Sequence, residues 1–456
     1  MELKTTFQAG AAKIDITPPL GTIINGDFKA HYAKTIHDPL FAKAVVISDN
    51  DVMIALVVVD ICVMPKIFVD QVRQTITDQL GINFSNILIS STHTHAAGSV
   101  AEAYLSAVDS GYSRKLPGLI LEAVRLAKSR LTPSKIGFGK VNVPAHVRSR
   151  RYFMDNGYEP INPITGTKEL VKTNPFGAEN YIQNPATPTD PELSYLAIQQ
   201  LSGEWVTVIA NYSLHYVGDW ENGTISADYF GEFAAELKAS LQADDDFIGI
   251  MSNGTSGDIN IWEFVKQNNY PSAYFEKSKL IGKDLATQVS RSMEQLQWEE
   301  NPKLAVEYQE LPISCRKPSS DELENAKKVV ATSDYENLEV NDEGLKRIYA
   351  REQLLLNEYP ATINFPVQAI KIGNGVIGGL AGEIFASTGL WLKANGKRAH
   401  YFTISMANGN CGYVPPPEEF EKGGYETWRS RTSYLEKNAA TLLQNKLLQL
   451  IQKLTT

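Results

Sequence analysis

The sequence predicts an α/β fold: one large domain, residues 1–456, with a mixed central sheet or sheets flanked by helices. Apolar runs of strand length alternate with segments of helical period, the pattern of strands and helices laid against one another. No repeat of roughly 20–50 residues is visible, which argues against a solenoid or a propeller. Hydrophobic residues make up 43% of the chain and charged residues 21%, enough apolar mass for a sizeable core.

The elements follow in chain order. Residues 44–47 and 53–59 are continuous apolar runs, as expected of strands buried on both faces. Over 67–80, Phe68, Val72, Ile76 and Leu80 recur at helical spacing, and Gly81 closes the helix. Further strands are expected at 87–90, 206–212, 247–251, 367–372, 376–380 and 401–405, with Asn374-Gly375 as a tight hairpin turn. Further helices are expected at 119–128, 230–241, 278–297 and 435–454. The polar segment 319–359 opens on a capping-box pair, Ser319 and Glu322, and reads as a peripheral helical excursion. Six prolines and many Asn and Thr fill 157–191, too long for a simple connection. It is expected to be an ordered surface lid or binding loop; the alternative is a solvated excursion without a role.

Charge narrows the partners. Lys and Arg number 43 against 52 Asp and Glu, a net charge of −9, and no run of five basic residues occurs. Such a chain offers no electrostatic footprint for a phosphate backbone, so nucleic acid is excluded as a partner and a small-molecule or glycan substrate is expected. The most apolar stretch, 52–63, is broken by Asp60 and falls short of the ~20 residues that cross a bilayer, so no integral membrane association is expected. The start, Met1 to Phe7, carries no apolar leader core. That reads as cytoplasmic, or as periplasmic or secreted with a signal peptide already removed. Cys62, Cys315 and Cys411 are odd in number, without CxxC spacing, and read as buried single thiols rather than a zinc or disulfide framework.

Chemistry concentrates where predicted strands end. Ser91-Thr92-His93-Thr94-His95-Ala96-Ala97-Gly98 follows the 87–90 strand, and histidines at i and i+2 of an extended segment can address one site. An HxH pair by itself more often makes ordinary loop hydrogen bonds. Its place beyond a strand end, leading into small residues, favours a ligand role. Asn211-Tyr212-Ser213-Leu214-His215 repeats the arrangement, and Ser252-Asn253-Gly254-Thr255-Ser256-Gly257-Asp258-Ile259-Asn260 leaves a third strand. Gly382-Glu383 and Asn408-Gly409-Asn410-Cys411-Gly412-Tyr413 follow two more.

In this order, with Asp15-Ile16-Thr17-Pro18, these segments resemble the neutral/alkaline (non-lysosomal) ceramidase family, specifically its N-terminal catalytic domain, over nearly the whole chain. The resemblance implies one zinc ion held by His93, His215, Glu383 and Tyr413. It also implies an active-site His95 facing the substrate carbonyl, an active-site arginine at Arg150 (Arg148 or Arg151 if the alignment slips by a step or two), and a further active-site tyrosine at Tyr425. Imidazole and carboxylate are ordinary zinc donors, whereas a phenol with pKa near 10 needs the dication's field to favour its ionised form.

Two departures bear on function. The family's nucleophilic serine falls two residues after Gly-Asp, and here Gly257-Asp258 is followed at that position by Asn260, whose amide cannot attack. Family members also continue into a C-terminal β-sandwich-like domain, which is expected to be missing from a chain ending after the 435–454 helix. The expectation is therefore a zinc-dependent hydrolase in which metal-activated water attacks a polar substrate, carbohydrate-derived or N-acyl or O-acyl, rather than ceramide. His95 would shuttle a proton, Arg150 would neutralise developing charge or grip a carboxylate, and Asn260 would orient substrate. Trp220, Trp262 and Trp428 lie near these motifs and either face a sugar or pack the core. One alternative is a metal-assisted lyase on an acidic sugar, with His95 or Tyr425 abstracting the proton. Another is a non-catalytic binding protein that kept a structural metal.

Overall fold

The computed structural model describes residues 6–24, 26–265 and 270–454, so most of the start read above for a leader, residues 1–5, lies outside the described residues. Two mixed sheets pack face to face with helices on both outer sides. The larger has eight strands in the spatial order Ile248–Asn253, Trp205–Tyr212, Glu192–Gln200, Thr132–Asn142, Gln8–Asp15, Phe41–Ser48, Met53–Val59, Ile87–Ser91. Neighbours run antiparallel except for the outermost pair at each edge, which are parallel. The smaller sheet orders Leu304–Ser314, Thr362–Ile372, Gly375–Leu380 and His400–Ile404, the last two parallel.

Period-two alternation explains the layering. In the 41–48 and 53–59 strands, Ala44, Val46, Ala55 and Val57 point to the helices Lys66–Leu80 and Ser110–Ser129. Val45, Ile47, Ile54, Leu56 and Val58 point the other way, onto Ile370, Ile372, Ile377, Phe402 and Ile404 of the smaller sheet. The outer face of the smaller sheet, through Val367 and Val376, meets Leu443 and Leu447 of the Ala439–Lys453 helix. Both faces of the central strands are therefore dry, and they read in sequence as unbroken apolar runs.

Most expected elements are present, and the differences are instructive. The second helix starts at Ser110, capped by Asp109, well before the expected 119, and carries Pro117 inside it. The hairpin turn is Gly373-Asn374, one residue earlier than expected: Ile372 pairs with Gly375, and Gly373 supplies the positive φ of +56°. Gln8–Asp15, Thr132–Asn142, Glu192–Gln200 and Leu304–Ser314 are strands that the sequence reading left out. Cys62 and Cys411 are buried, while Cys315 is half-buried rather than enclosed. The 319–359 segment forms helices Ser320–Ala331, with the capping box made, and Asp342–Asn357. Its second half is not peripheral, because Leu355, Glu358 and Tyr359 line the main cavity. The 157–191 segment is ordered by the short strands Val171–Thr173 and Ile182–Pro185 against Arg151–Met154.

Candidate metal centre and its cavity

Strands of both sheets release their chains toward one end of the molecule, as in open α/β folds, where sites form beyond strand ends. The two sheets are stitched together there. The Asn408 side-chain oxygen accepts from the Ile89 N–H at 3.1 Å while the Asn408 backbone N–H donates to the Ile89 carbonyl at 2.7 Å, and Ser405 N donates to the Asn253 carbonyl at 3.0 Å. The result is a cavity of about 710 Å³ into which the motif loops converge.

His93 follows the Ile87–Ser91 strand with φ +74°, a left-handed conformation that is strained for a side chain of this size. Its N–H donates to the Ile61 carbonyl, and its Nδ1 donates to the Cys62 carbonyl at 2.9 Å. His215 is held in the same way by its Nδ1 and the Ser256 carbonyl at 3.3 Å. Each backbone acceptor takes the Nδ1 proton and turns Nε2 to the cavity, the orientation used by metal-ligating histidines. Glu383 Oε2 lies 3.5 Å from His93 Nε2, is buried, and accepts no hydrogen bond. The three candidate donor atoms of His93, His215 and Glu383 lie within 4.8 Å of one another. Tyr413 sits beside Glu383 as its partner in a short parallel ladder, and its hydroxyl is 3.4 Å from that of Tyr425.

His95 faces the same space. Its Nε2 is 3.2 Å from His93 Nε2, its ring stacks on Tyr216 at 3.7 Å, and its Nδ1 is buried without a partner. Of the three candidate arginines, Arg150 alone lines the cavity. Arg148 pairs with Glu263 at 2.9 Å away from it, and Arg151 is locked behind it between Glu419 and Glu426. Arg150 donates from Nε to Glu426 at 2.9 Å and from Nη2 to the Gly257 carbonyl at 2.5 Å, leaving Nη1, 3.5 Å from His215 Nε2, toward the centre.

Electrostatics follow from burial and neighbours. Burial, then the charges of His93 and Arg150, push His95 and His215 well below the usual histidine range, so both imidazoles are neutral. Burial opposes a charge on His93 too, but the pull of Cys62 and of the Glu383 carboxylate outweighs it and pushes the group up to about 10, so a cation bound here has to displace the proton on Nε2. Burial likewise raises the phenols of Tyr413 and Tyr425. A buried carboxylate with an oxygen unpaired is costly, and a cation among these donors would relieve that cost.

Asn260 lines the cavity, but its amide is engaged at both ends. Nδ2 donates to Asn174 Oδ1 at 2.6 Å, and Oδ1 accepts from the Trp262 N–H at 2.9 Å. Trp262 reaches the cavity as well. Trp220 stacks on Phe275, and Trp428 donates its indole N–H to Glu169 while packing edge-on against Tyr349. Asp258 serves a local purpose, its Oδ1 accepting the Ala386 N–H at the start of the Ala386–Gly396 helix.

Sequence reasoning missed Gly26, Cys62, Asn174, Tyr216 and Glu426. Only Tyr216, adjacent to His215, carried a positional signal. Gly26 packs so close to His95 that a Cβ would lie 2.6 Å from its Nδ1.

Among solved structures, the neutral ceramidase from Pseudomonas aeruginosa is similar at 17% identity with a TM-score of 0.74, covering 98% of this chain and 74% of that one. A ceramidase complexed with C2 is similar at 15% identity with a TM-score of 0.71, covering 98% and 75%. These likenesses establish the fold, and no curated protein matches the chain. The family model for the N-terminal part of neutral/alkaline non-lysosomal ceramidase matches residues 7–278, more than half of the 456. The chain therefore belongs to the neutral/alkaline non-lysosomal ceramidase family, a family of hydrolases.

Proposed function

We propose that the chain is a zinc-dependent hydrolase acting on a polar small molecule or glycan, carbohydrate-derived or N-acyl or O-acyl, with residues 1–456 forming one catalytic domain. One observation carries the reading: the Nε2 edges of two imidazoles and the hydrogen-bond-less Glu383 oxygen meet in a buried cluster. On this reading His93, His215, Glu383 and Tyr413 hold the ion, a mixed nitrogen and oxygen donor set that suits zinc. When bound, the ion lowers the pKa of water and polarises a scissile carbonyl.

The chain's own residues supply the rest. Neutral His95, aligned by Tyr216 on one ring face and facing the His93 imidazole, takes the proton and returns it to the leaving group. Arg150 Nη1 donates to the oxygen on which charge develops. Tyr425, sharing a hydroxyl contact with Tyr413, orients the reacting group. Asn260, held at both ends, shapes the wall and takes no nucleophilic part, which supports water as the attacking species.

Two of Arg150's three nitrogens already donate to protein acceptors, so it has no free edge for a bidentate grip on a substrate carboxylate. That favours hydrolysis over a lyase on an acidic sugar. Elemental analysis of purified protein, followed by a screen of N-acyl, O-acyl and glycosidic substrates with and without chelator, tests the reading. Near-stoichiometric zinc and chelator-sensitive hydrolysis are expected. An unsaturated product absorbing in the near ultraviolet, or turnover untouched by complete metal removal, would overturn it.

A further inference from the structure

Arg150 and Arg151 are consecutive, both guanidiniums are buried, and one carboxylate serves the two of them. Glu426 Oε1 accepts from Arg150 Nε at 2.9 Å. Its Oε2 accepts from Arg151 Nη1 at 2.6 Å and from Thr173 Oγ1 at 2.7 Å. Glu426 is itself fully enclosed. Burial alone would raise its pKa, but the guanidiniums of Arg151 and Arg150 hold it below the usual carboxylate range.

This geometry does more than balance charge. A guanidinium anchored at Nε alone can swing its plane, whereas Arg150 is pinned at Nε by Glu426 and at Nη2 by the Gly257 carbonyl, which leaves Nη1 one direction, toward the histidines. Thr173, from the proline-rich segment, holds the second carboxylate oxygen and so keeps Glu426 from rotating. Arg151 has other acceptors, Glu419 and the Gly423 carbonyl, so it would stay anchored without Glu426. Arg150 has no second carboxylate partner among the described residues.

We propose that Glu426 is a positioning residue: it aims the Nη1 edge of Arg150 at the oxygen that gains charge during hydrolysis, with Thr173 fixing the aim. The proposal rests on the hydrolase reading for its effect on rate, but not for its structural part.

The test compares zinc-loaded wild type with Glu426→Gln, Thr173→Val and Glu419→Gln, measuring kcat and KM on a substrate found in the screen, bound metal, and the crystal structure of Glu426→Gln. Glu426→Gln should lower kcat by about 100-fold, with KM within about 3-fold and metal content unchanged, because one transition-state donor is misaimed. Thr173→Val should give a smaller loss of the same kind, about 5-fold, and it decides the matter if Glu426→Gln does not fold. Glu419→Gln, which touches Arg151 and Lys422 but not Arg150, should keep the wild-type kcat. Equal losses in Glu419→Gln and Glu426→Gln would mean general loosening and would overturn the proposal, as would wild-type kcat in Thr173→Val. If wild type hydrolyses nothing, the hydrolase reading is what fails and the crystal structure decides the positioning: an Arg150 swung off the cavity supports it, an unmoved Arg150 overturns it.

Discussion

Glu383 and Tyr413 face each other as register partners in a two-residue parallel ladder, Glu383–Ile384 against Tyr413–Val414. Paired residues of neighbouring strands project to the same side, so this small ladder delivers a carboxylate and a phenol together. The histidines arrive separately, from the edge strand Ile87–Ser91 and from Trp205–Tyr212, one strand in from the opposite edge of the larger sheet.

The donor set predicts a graded response to substitution. Loss of an outer partner of a metal ligand costs about 10–100-fold in affinity, so loss of a ligand should cost more. His93→Ala and His215→Ala are expected to emerge from purification without metal and without turnover, whereas Tyr413→Phe, lacking only the reluctant phenol, should retain metal at reduced affinity. Elemental analysis checks this, and zinc retained after both histidine substitutions would refute the assignment.

Gly26 predicts a second way to disturb His95. Its φ of +129° suits glycine, and an added Cβ would lie 2.6 Å from His95 Nδ1 and 2.7 Å from Cγ. Gly26→Ala should displace the imidazole and match His95→Ala, with turnover down by about 10²–10⁴ if the group transfers protons. Metal content should not change, because neither residue is a proposed ligand. A Gly26→Ala enzyme with wild-type turnover would show that His95 carries no chemical role.

These positions show what a single sequence reveals. Met53–Val59 was legible because it is apolar at every position, all of them buried except half-buried Met53. Gln8–Asp15 was not, because its core residues are small alanines with little strand signal. Thr132–Asn142 hides behind Pro133, Gly137 and Gly139; at Gly139 a Cβ would collide with the Tyr195 ring, so the glycine that looks like a loop residue is required by packing. In the site, histidines after strands stand out by residue type. Glu426 does not: its meaning lies in Arg150, Arg151 and Thr173, more than 250 residues away, and nothing local announces that. Likewise the engagement of Asn260 became visible only with Asn174 in place.

Asn260→Ala tests that engagement. The substitution leaves Asn174 Oδ1 and the Trp262 backbone N–H without their partners, a cost of at most about 1–3 kcal/mol because both residues are half-buried at the cavity. Denaturant unfolding should report a loss in that range while bound metal stays at the wild-type level. Loss of metal instead would place Asn260 among the groups that hold the ion.

Asp258 predicts a pH dependence of stability. The group is fully buried, and burial pushes its carboxyl up from 3.8 to about 6, against the opposing hydrogen bond from Ala386 and the charges of Arg151 and Arg150. Below about 3.8 both folded and unfolded chains hold the proton. Between 3.8 and about 6 the folded protein keeps a proton that the unfolded chain has released, so stability falls as pH rises, by up to about 3 kcal/mol, and the loss is complete above the folded value. Asp258→Asn cannot titrate and retains an oxygen for the Ala386 N–H. Its melting temperature relative to wild type should therefore climb between pH 4 and about 6.5 and then level off. A difference that stays flat across that interval would mean Asp258 is already ionised in the folded protein, with the nearby arginines outweighing burial.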